Sequence, residues 1–165
     1  MKKIMFNKRY MLEASVIDED KTCTRRVESG FRYEVGEVIA IAQPYRELRR
    51  CTKSEKNKAK IYSFVGTAGW NNKMFVKPEL MNHFIRITAR RKEMLQDISD
   101  SDCLAEGIEY DNSTKKYGFF DLERSKWHEY DTPREAFASL IDRVSCKGTW
   151  ESNPEVSVYE FELLK

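Results

Sequence analysis

Residues 84–90 constrain the fold most, because apolar and polar side chains alternate through this segment. Ile85, Ile87 and Ala89 are apolar, and each residue between them is polar. A period of two is the pattern of a β-strand with one buried face and one solvated face, and it does not produce the apolar stripe of a helix. The segment therefore predicts a strand that directs its polar residues, including Arg86, toward solvent.

Other segments predict further short strands. Residues 35–42, 61–65 and 73–76 are rich in β-forming residues, and residues 109–131 have the pattern of hairpin strands with a loop. In residues 154–163 the apolar side chains change phase, which indicates a bulge or burial on both faces, as happens where a barrel closes.

Two helices are predicted by their capping residues. Ser99 is a good N-cap and Gly107 a good stop for a short helix that ends at Glu106. A carboxylate at a helix C-terminus is opposed by the helix dipole, so we expect a cation near Glu106. Residues 132–135, Thr-Pro-Arg-Glu, start a second helix that runs to about residue 145. Together the elements predict one α+β domain over residues 1–165, a small β-barrel of mixed or antiparallel strands with two or three flanking helices.

The composition of the chain limits which cellular locations, partners and cofactors we expect. No apolar run is long enough for a signal peptide or a membrane span, so we expect a cytoplasmic protein with no membrane partner. The four cysteines are scattered without a Cys-x-x-Cys pair, and we predict no metal site and no cofactor. Net charge is +2, yet residues 46–60 contain seven basic residues against two acidic ones, which predicts an exposed basic loop insertion. The oligomeric state stays open.

Four motifs, taken in order, resemble one known family. They are Lys-Thr-Cys-Thr-Arg-Arg at residues 21–26, Tyr-Glu-Val-Gly-Glu-Val at 33–38, the stretch from 95 to 108, and Trp-Glu-Ser-Asn-Pro at 150–154. Their order and spacing look like the ASCH family of the PUA-like superfamily, and in particular its phage- and bacteroidete-associated members. The resemblance implies a PUA-like β-barrel with a cleft that binds RNA or a modified nucleoside.

The resemblance also implies a candidate catalytic set. Some small relatives are amidohydrolases that remove the acyl group from N4-acetylcytidine with a lysine, a threonine and a glutamate, and the matching positions here are Lys21, Thr24 and Glu106. This chain has Glu19 where many members have glycine, and Thr24 replaces the glutamate of the broader signature. The first difference bears on the geometry of the loop, and the second favours the amidohydrolase-like subset.

Elementary chemistry leaves two interpretations of these three residues. A hydroxyl beside a partly desolvated lysine supplies a nucleophile and a base for amide hydrolysis, and Glu106 could orient Lys21 or accept the amino group of cytosine. Burial lowers the pKa of a lysine and a nearby carboxylate raises it. The alternative is an ordinary structural ion pair between Lys21 and Glu106, with Thr24 in a strand.

Further residues are candidates for nucleic-acid contact. Arg25, Arg26 and Arg86 could bind phosphate, or they could form the solvated faces of strands. Trp150 could stack on a base or pack in the core, and Asn153 could contact a base edge or cap a turn.

Three functions follow from these residues. The first is binding of RNA or a modified nucleoside in a cleft lined by Lys21, Thr24 and Glu106. The second is an amidohydrolase that deacylates N4-acetylcytidine, and the third is a phage-related, non-enzymatic interaction protein. Fold analogy alone does not rank them, and whether the protein is an enzyme stays open.

Overall fold

The structure is a computed structural model that describes residues 1–52 and 54–165; Lys53, one of the residues of the predicted basic loop, lies outside the described residues. The strands are β1 (Lys2–Ile4), β2 (Cys23–Arg26), β3 (Val38–Ile41), β4 (Phe84–Met94), β5 (Glu109–Asp111), β6 (Lys116–Asp121), β7 (Lys126–Tyr130) and β8 (Glu155–Leu164). The helices are α1 (Leu12–Ile17), α2 (Tyr45–Cys51), α3 (Glu55–Tyr62), α4 (Asp100–Ala105), α5 (Pro133–Val144) and α6 (Thr149–Ser152). Short 3-10 helices span Ala68–Trp70, Lys73–Phe75, Pro78–Leu80 and Leu95–Asp97. Among the described residues, no helix has both the length and the apolar character needed to cross a bilayer.

The strands form two open sheets, and the predicted PUA-like β-barrel is therefore wrong. Five strands pair in the order β1-β3-β4-β8-β2, and three pair in the order β5-β6-β7. Within the described residues the two edge strands of the larger sheet, β1 and β2, do not pair with each other, so the sheet does not close. They are only three and four residues long, whereas closure needs continuous pairing between tilted strands. The α+β character remains, with six helices in the described residues where two or three were predicted.

The apolar side chains of β8 change phase because the strand is buried on both faces, which is one of the causes that the sequence allowed. Residues 156–159 are all buried, because β8 lies between β4 and β2 and is covered on both faces. A strand buried on both faces shows a nearly continuous apolar run, and barrel closure is not needed to explain it.

The chain divides into two compact units, and the expectation of a single domain over residues 1–165 stays a prediction. The first unit comprises Met1–Phe6, Glu37–Arg86 and Leu163–Lys165. In it β1 pairs in parallel with β3, and β3 pairs antiparallel with the start of β4. A cluster in its core contains Ala40, Ala42, Tyr45, Leu48, Ile61, Val76 and Met81.

The basic segment of the first unit lies mainly in helices α2 and α3, where the sequence predicted a loop. Leu48 of α2 and Ile61 of α3 belong to the buried cluster, so tertiary packing stabilises both short helices. The strands predicted at residues 61–65 and 73–76 are also wrong. Helix α3 continues to Tyr62, and residues 73–75 form a 3-10 turn capped by the Asn72 side chain.

The second unit comprises Asn7–Gly36 and Ile87–Glu162. In this unit β2 pairs antiparallel with β8, and α5 packs on β6 and β7, where Arg143 lies over the ring of Phe119. Both predicted helix starts are confirmed. The Ser99 hydroxyl accepts the N–H of Asp102, and Thr132 forms a capping box with Glu135.

Candidate functional site

Lys21 lies where the chain enters β2, beside the C-terminal end of α4. The N–H of the next residue, Thr22, donates to the carbonyl of Ala105 at 2.9 Å. Glu106 follows as the C-cap of α4, and Gly107 then has a φ of 105°, a left-handed conformation that favours glycine and turns the chain out of the helix. This backbone contact brings residues 21 and 106 together, although 85 positions separate them.

Lys21 and Glu106 form a buried ion pair. The ammonium group of Lys21 donates to Glu106 Oε2 at 2.5 Å, to the Glu106 carbonyl at 2.7 Å and to the Cys23 carbonyl at 2.7 Å. The exposed fractions of Lys21 and Glu106 are only 2% and 5%. A lysine has three N–H donors, so these three acceptors satisfy it.

The cation expected at the end of α4 is therefore Lys21. It neutralises the carboxylate that the helix dipole opposes, and it also binds a carbonyl at the helix C-terminus. Burial lowers the pKa of Lys21 below its ordinary value, and the neighbouring Glu106 carboxylate acts in the opposite direction. The amine thus combines a reduced proton affinity with a carboxylate that can exchange a proton with it.

Arg25 joins the same cluster from β2. Its side chain has no exposed surface, and it contacts Glu93 at 2.5 Å, Asp102 at 2.5 Å and Glu106 at 3.5 Å. Burial alone would lower the pKa of Arg25, but Glu106 and the other carboxylates raise it above the ordinary value. Because its donors already face three carboxylates, this geometry does not favour the predicted phosphate contact, and we leave Arg25 out of the proposed ligand contacts.

Thr24 is buried, but the structure does not show it beside the other two residues of the predicted set. It is paired across the sheet with Tyr159, and by the alternation of a strand its side chain points away from the face of Cys23 and Arg25. In the part of the chain that the structure describes, the Thr24 hydroxyl forms no hydrogen bond, so none links it to Lys21. The structure therefore brings together two of the three predicted residues.

The other two predicted arginines differ in exposure. Arg26, in β2, is half-buried, and burial lowers its pKa while Tyr33 raises it. Arg86 belongs to the first unit and is exposed on β4, between the buried Ile85 and Ile87, as the alternating pattern predicts. Phosphate contact by either arginine stays a prediction.

Trp150 and Asn153 lie on either side of the end of α6, and both contact Gln96. The Asn153 side chain accepts the Gln96 backbone N–H at 2.8 Å, and the Trp150 carbonyl accepts the Gln96 side chain at 2.8 Å. The half-buried Trp150 ring packs edge-on against Phe137 and under Arg134. These contacts match the turn-capping and packing alternatives, and base recognition by either residue stays a prediction.

A cavity of about 430 Å³ lies next to the ion pair. Its lining residues are Thr22, Cys23, Thr88, Ser101, Asp102, Ala105, Glu160 and Phe161. The Cys23 carbonyl accepts a hydrogen bond from Lys21, and Ala105 directly precedes Glu106 in the chain. Residues of the cavity wall therefore also hold the ion pair of Lys21 and Glu106 in position. Lys21, Thr24 and Glu106 do not line the cavity.

Sequence reasoning missed the two carboxylates of the cavity. Asp102 and Glu160 each accept, through one oxygen, a hydrogen bond from the guanidinium of Arg91, at 2.6 and 2.5 Å. The second oxygen of each carboxylate forms no hydrogen bond with the described residues. The sequence indicated Asp102 only as a residue in the first turn of a helix. Nothing in the sequence pattern of β8 distinguished Glu160 from a residue that points into solvent.

Two buried cysteines of this unit, Cys23 and Cys103, are not placed for thiolate chemistry. Burial raises the pKa of Cys23 and that of Cys103 to about 12, so both thiols stay protonated at neutral pH. In residues 1–52 and 54–165, no three His, Cys, Asp or Glu side chains are grouped so that they could hold a metal ion.

Comparison of the chain with protein-family models, with curated proteins and with solved structures gave no match. The likeness to the ASCH family therefore rests on the four sequence motifs alone.

Proposed function

We propose that the second unit binds a modified nucleoside in the cavity beside Lys21 and Glu106. One observation carries this proposal: a polar cavity of about 430 Å³ whose wall also supports a buried amine and carboxylate. Ligand pockets for small molecules span roughly 300 to 1,000 Å³, so the volume suits a single nucleoside. The motifs that resemble the ASCH family point to the same class of ligand.

The lining groups suit the hydrogen-bonding pattern of a pyrimidine nucleoside. The unengaged oxygens of Asp102 and Glu160 can accept hydrogen bonds from N–H groups or ribose hydroxyls. The hydroxyls of Thr88 and Ser101 can donate to a carbonyl oxygen of the base. Phe161 adds an apolar surface against which a ring can pack.

The charges of the site favour a nucleoside over a nucleotide. Arg25 and Arg91 form ion pairs with the carboxylates of the cavity lining, so both cations are already engaged. Two carboxylates in the lining would repel a phosphate group. We therefore expect N4-acetylcytidine to bind more tightly than its 5′-monophosphate.

Isothermal titration calorimetry with N4-acetylcytidine tests the proposal. We expect Glu160→Gln and Thr88→Val each to weaken binding by about tenfold, since each removes one hydrogen bond to the ligand. Glu155→Gln, at an exposed position of the same strand, is the matched control and should bind like the wild type. Absence of binding by the wild type, or equal binding by all variants, would refute the proposal.

A second candidate function, hydrolysis of N4-acylcytidine, is favoured by the lowered pKa of Lys21 and its short contact with Glu106. In this reaction water adds across the amide: the bond between the acyl carbon and N4 breaks, acetate leaves, and N4 gains a proton. The Lys21 ammonium would first have to pass a proton to Glu106 Oε2, at 2.5 Å, and the neutral amine would then be the base that removes a proton from the attacking hydroxyl. In the described part of the chain, the Thr24 hydroxyl forms no hydrogen bond with Lys21. The attacking group is therefore either Thr24 after a rearrangement or a water molecule.

Mass spectrometry of N4-acetylcytidine incubated with the protein tests this second function. We expect release of cytidine and a loss of roughly 100-fold or more in rate for Lys21→Met, because general-base catalysis contributes about that much. Thr24→Val should stop the reaction only if Thr24 is the nucleophile, and Thr114→Val, at an exposed turn, is the control. A wild-type protein that binds the nucleoside and releases no cytidine would exclude hydrolysis and leave the binding function intact.

A further inference from the structure

The first unit presents a row of arginines on the outer face of α2. Arg46, Arg49 and Arg50 are spaced three and four residues apart and are exposed, while Tyr45 and Leu48 are buried in the core. Residues at this spacing share one helix face. Helix α3 carries the exposed Lys56 and Lys60, so both helices of this segment present basic side chains to solvent.

Two exposed apolar turns flank the arginine row. On one side Arg46 donates to the side chain of Asn71, next to the 3-10 turn that displays Met74 and Phe75. Met74 and Phe75 are 56% and 58% exposed, which is unusual for large apolar side chains. On this side, basic and apolar groups therefore lie together.

Arg49 also lies beside a second turn with exposed apolar side chains. The guanidinium of Arg49 lies 4.8 Å from the ring centre of Tyr62, and the Tyr62 carbonyl accepts the N–H of Val65. Tyr62 and Val65 are both exposed. We name as the α2 surface the three arginines together with the two exposed apolar turns beside them, which carry Met74 and Phe75 and Tyr62 and Val65.

Hydrogen bonds hold the Met74 turn in place. The Lys3 ammonium donates to the carbonyls of Met74 and Val76, both at 2.7 Å, and the Asn72 side chain accepts the Met74 N–H at 2.9 Å. A backbone group that already has a hydrogen-bond partner costs less to bring into a lipid interface. The N–H and the carbonyl of Met74 both meet that condition.

We propose that the α2 surface binds anionic phospholipid headgroups, with Met74, Phe75 and Val65 inserted among the lipids. This departs from the expectation of no membrane partner, which rested on the absence of a spanning apolar run and does not bear on binding at the membrane surface. Arginine forks match phosphate geometry, and cationic side chains beside inserted apolar ones are the composition of proteins that associate with membrane surfaces. The apolar side chains project from turns, which suits insertion, whereas a docked peptide would need a groove. Val65 and Met74 have no ring with which to stack on a base, so these two side chains favour lipid over nucleic acid. The inference is independent of the nucleoside proposal, because it concerns other residues.

Co-sedimentation of the full chain with vesicles tests this inference. Vesicles of equal parts phosphatidylglycerol and phosphatidylcholine should retain the protein, and vesicles of phosphatidylcholine alone should not. We expect the triple change Arg46→Gln, Arg49→Gln and Arg50→Gln to weaken partitioning about 100-fold, and Met74→Ser with Phe75→Ser to weaken it about tenfold. Val65→Ser is an independent single change at the second turn and should weaken it in the same direction.

The controls are an exposed arginine and an exposed leucine of the second unit. Arg124→Gln and Leu122→Ser should leave partitioning unchanged, and circular dichroism should show that every variant is folded. No retention of the wild type by anionic vesicles would overturn the inference. So would retention that the α2-surface changes leave intact, or binding of single-stranded RNA through these residues without binding to vesicles.

Discussion

Glu106→Ala is expected to lower the free energy of unfolding by about 3 to 5 kcal/mol, because it removes the carboxylate that neutralises the buried charge of Lys21. The ammonium group would lose its contact with Glu106 Oε2, and Arg25 would lose one of its three carboxylates. Urea denaturation followed by circular dichroism measures the change. This is one of the two largest effects that we expect from a single substitution in the chain.

Replacing both partners should restore most of the lost stability. Lys21→Met combined with Glu106→Leu removes two buried charges and fills a similar volume with apolar atoms, and such replacements of buried ion pairs are often neutral. A double variant as unstable as Glu106→Ala would contradict this prediction. It would mean that the hydrogen bonds of Lys21 to the two carbonyls, and not the pairing of charges, stabilise the site.

The double variant also distinguishes a structural role of the Lys21–Glu106 pair from a catalytic one. Its cavity lining is unchanged, since neither Lys21 nor Glu106 lines the cavity. If the pair is catalytic, the variant should bind N4-acetylcytidine and release no cytidine. If the pair is only structural, any hydrolysis seen in the wild type should persist in the variant.

Gly118→Ala is expected to cost about 3 kcal/mol or more in the free energy of unfolding. A Cβ at residue 118 would lie 1.9 Å from the His128 carbonyl oxygen and 2.9 Å from Cζ2 of Trp127. The first contact is with backbone, so rotation of a side chain does not relieve it. The strands β6 and β7 would have to separate at the pair formed by Gly118 and Glu129.

Gly30→Ala is the matched control for this prediction. A Cβ at residue 30 meets no atom within 4 Å, and the backbone of Gly30 is not in the left-handed region. Its effect should stay within about 0.5 kcal/mol, as for most surface substitutions. Equal midpoints of urea denaturation for the two variants would show that the sheet of β5, β6 and β7 accommodates the methyl group.

Capping residues in the sequence predicted the part of the site that lies at the end of helix α4. Ser99 and Gly107 placed Glu106 at the end of a helix, and the helix dipole then required a cation near it. Lys21 satisfies that requirement through a contact across 85 positions. The motif resemblance named Lys21 independently, so two lines of reasoning agreed on the pair.

The parts that sequence reasoning missed depend on contacts between distant segments. Arg25 was expected either to bind phosphate or to belong to the solvated face of a strand, because the carboxylates of Glu93 and Asp102 that enclose it lie on other elements. The alternation that correctly predicted the start of β4 says nothing about which strands become its neighbours, and an open sheet and a barrel share that pattern. Residues 61–65 have β-forming side chains, but Ile61 is buried in the core as part of the end of α3, and residues 63–65 form a turn.

The burial of Lys21 makes this residue a natural reporter of local opening. Its amine is covered as long as the end of α4 stays against β2, so a reagent that modifies lysines can reach it only in molecules where these elements have separated. The labelling rate of Lys21, compared with that of the exposed lysines, would therefore measure how often the site opens to water.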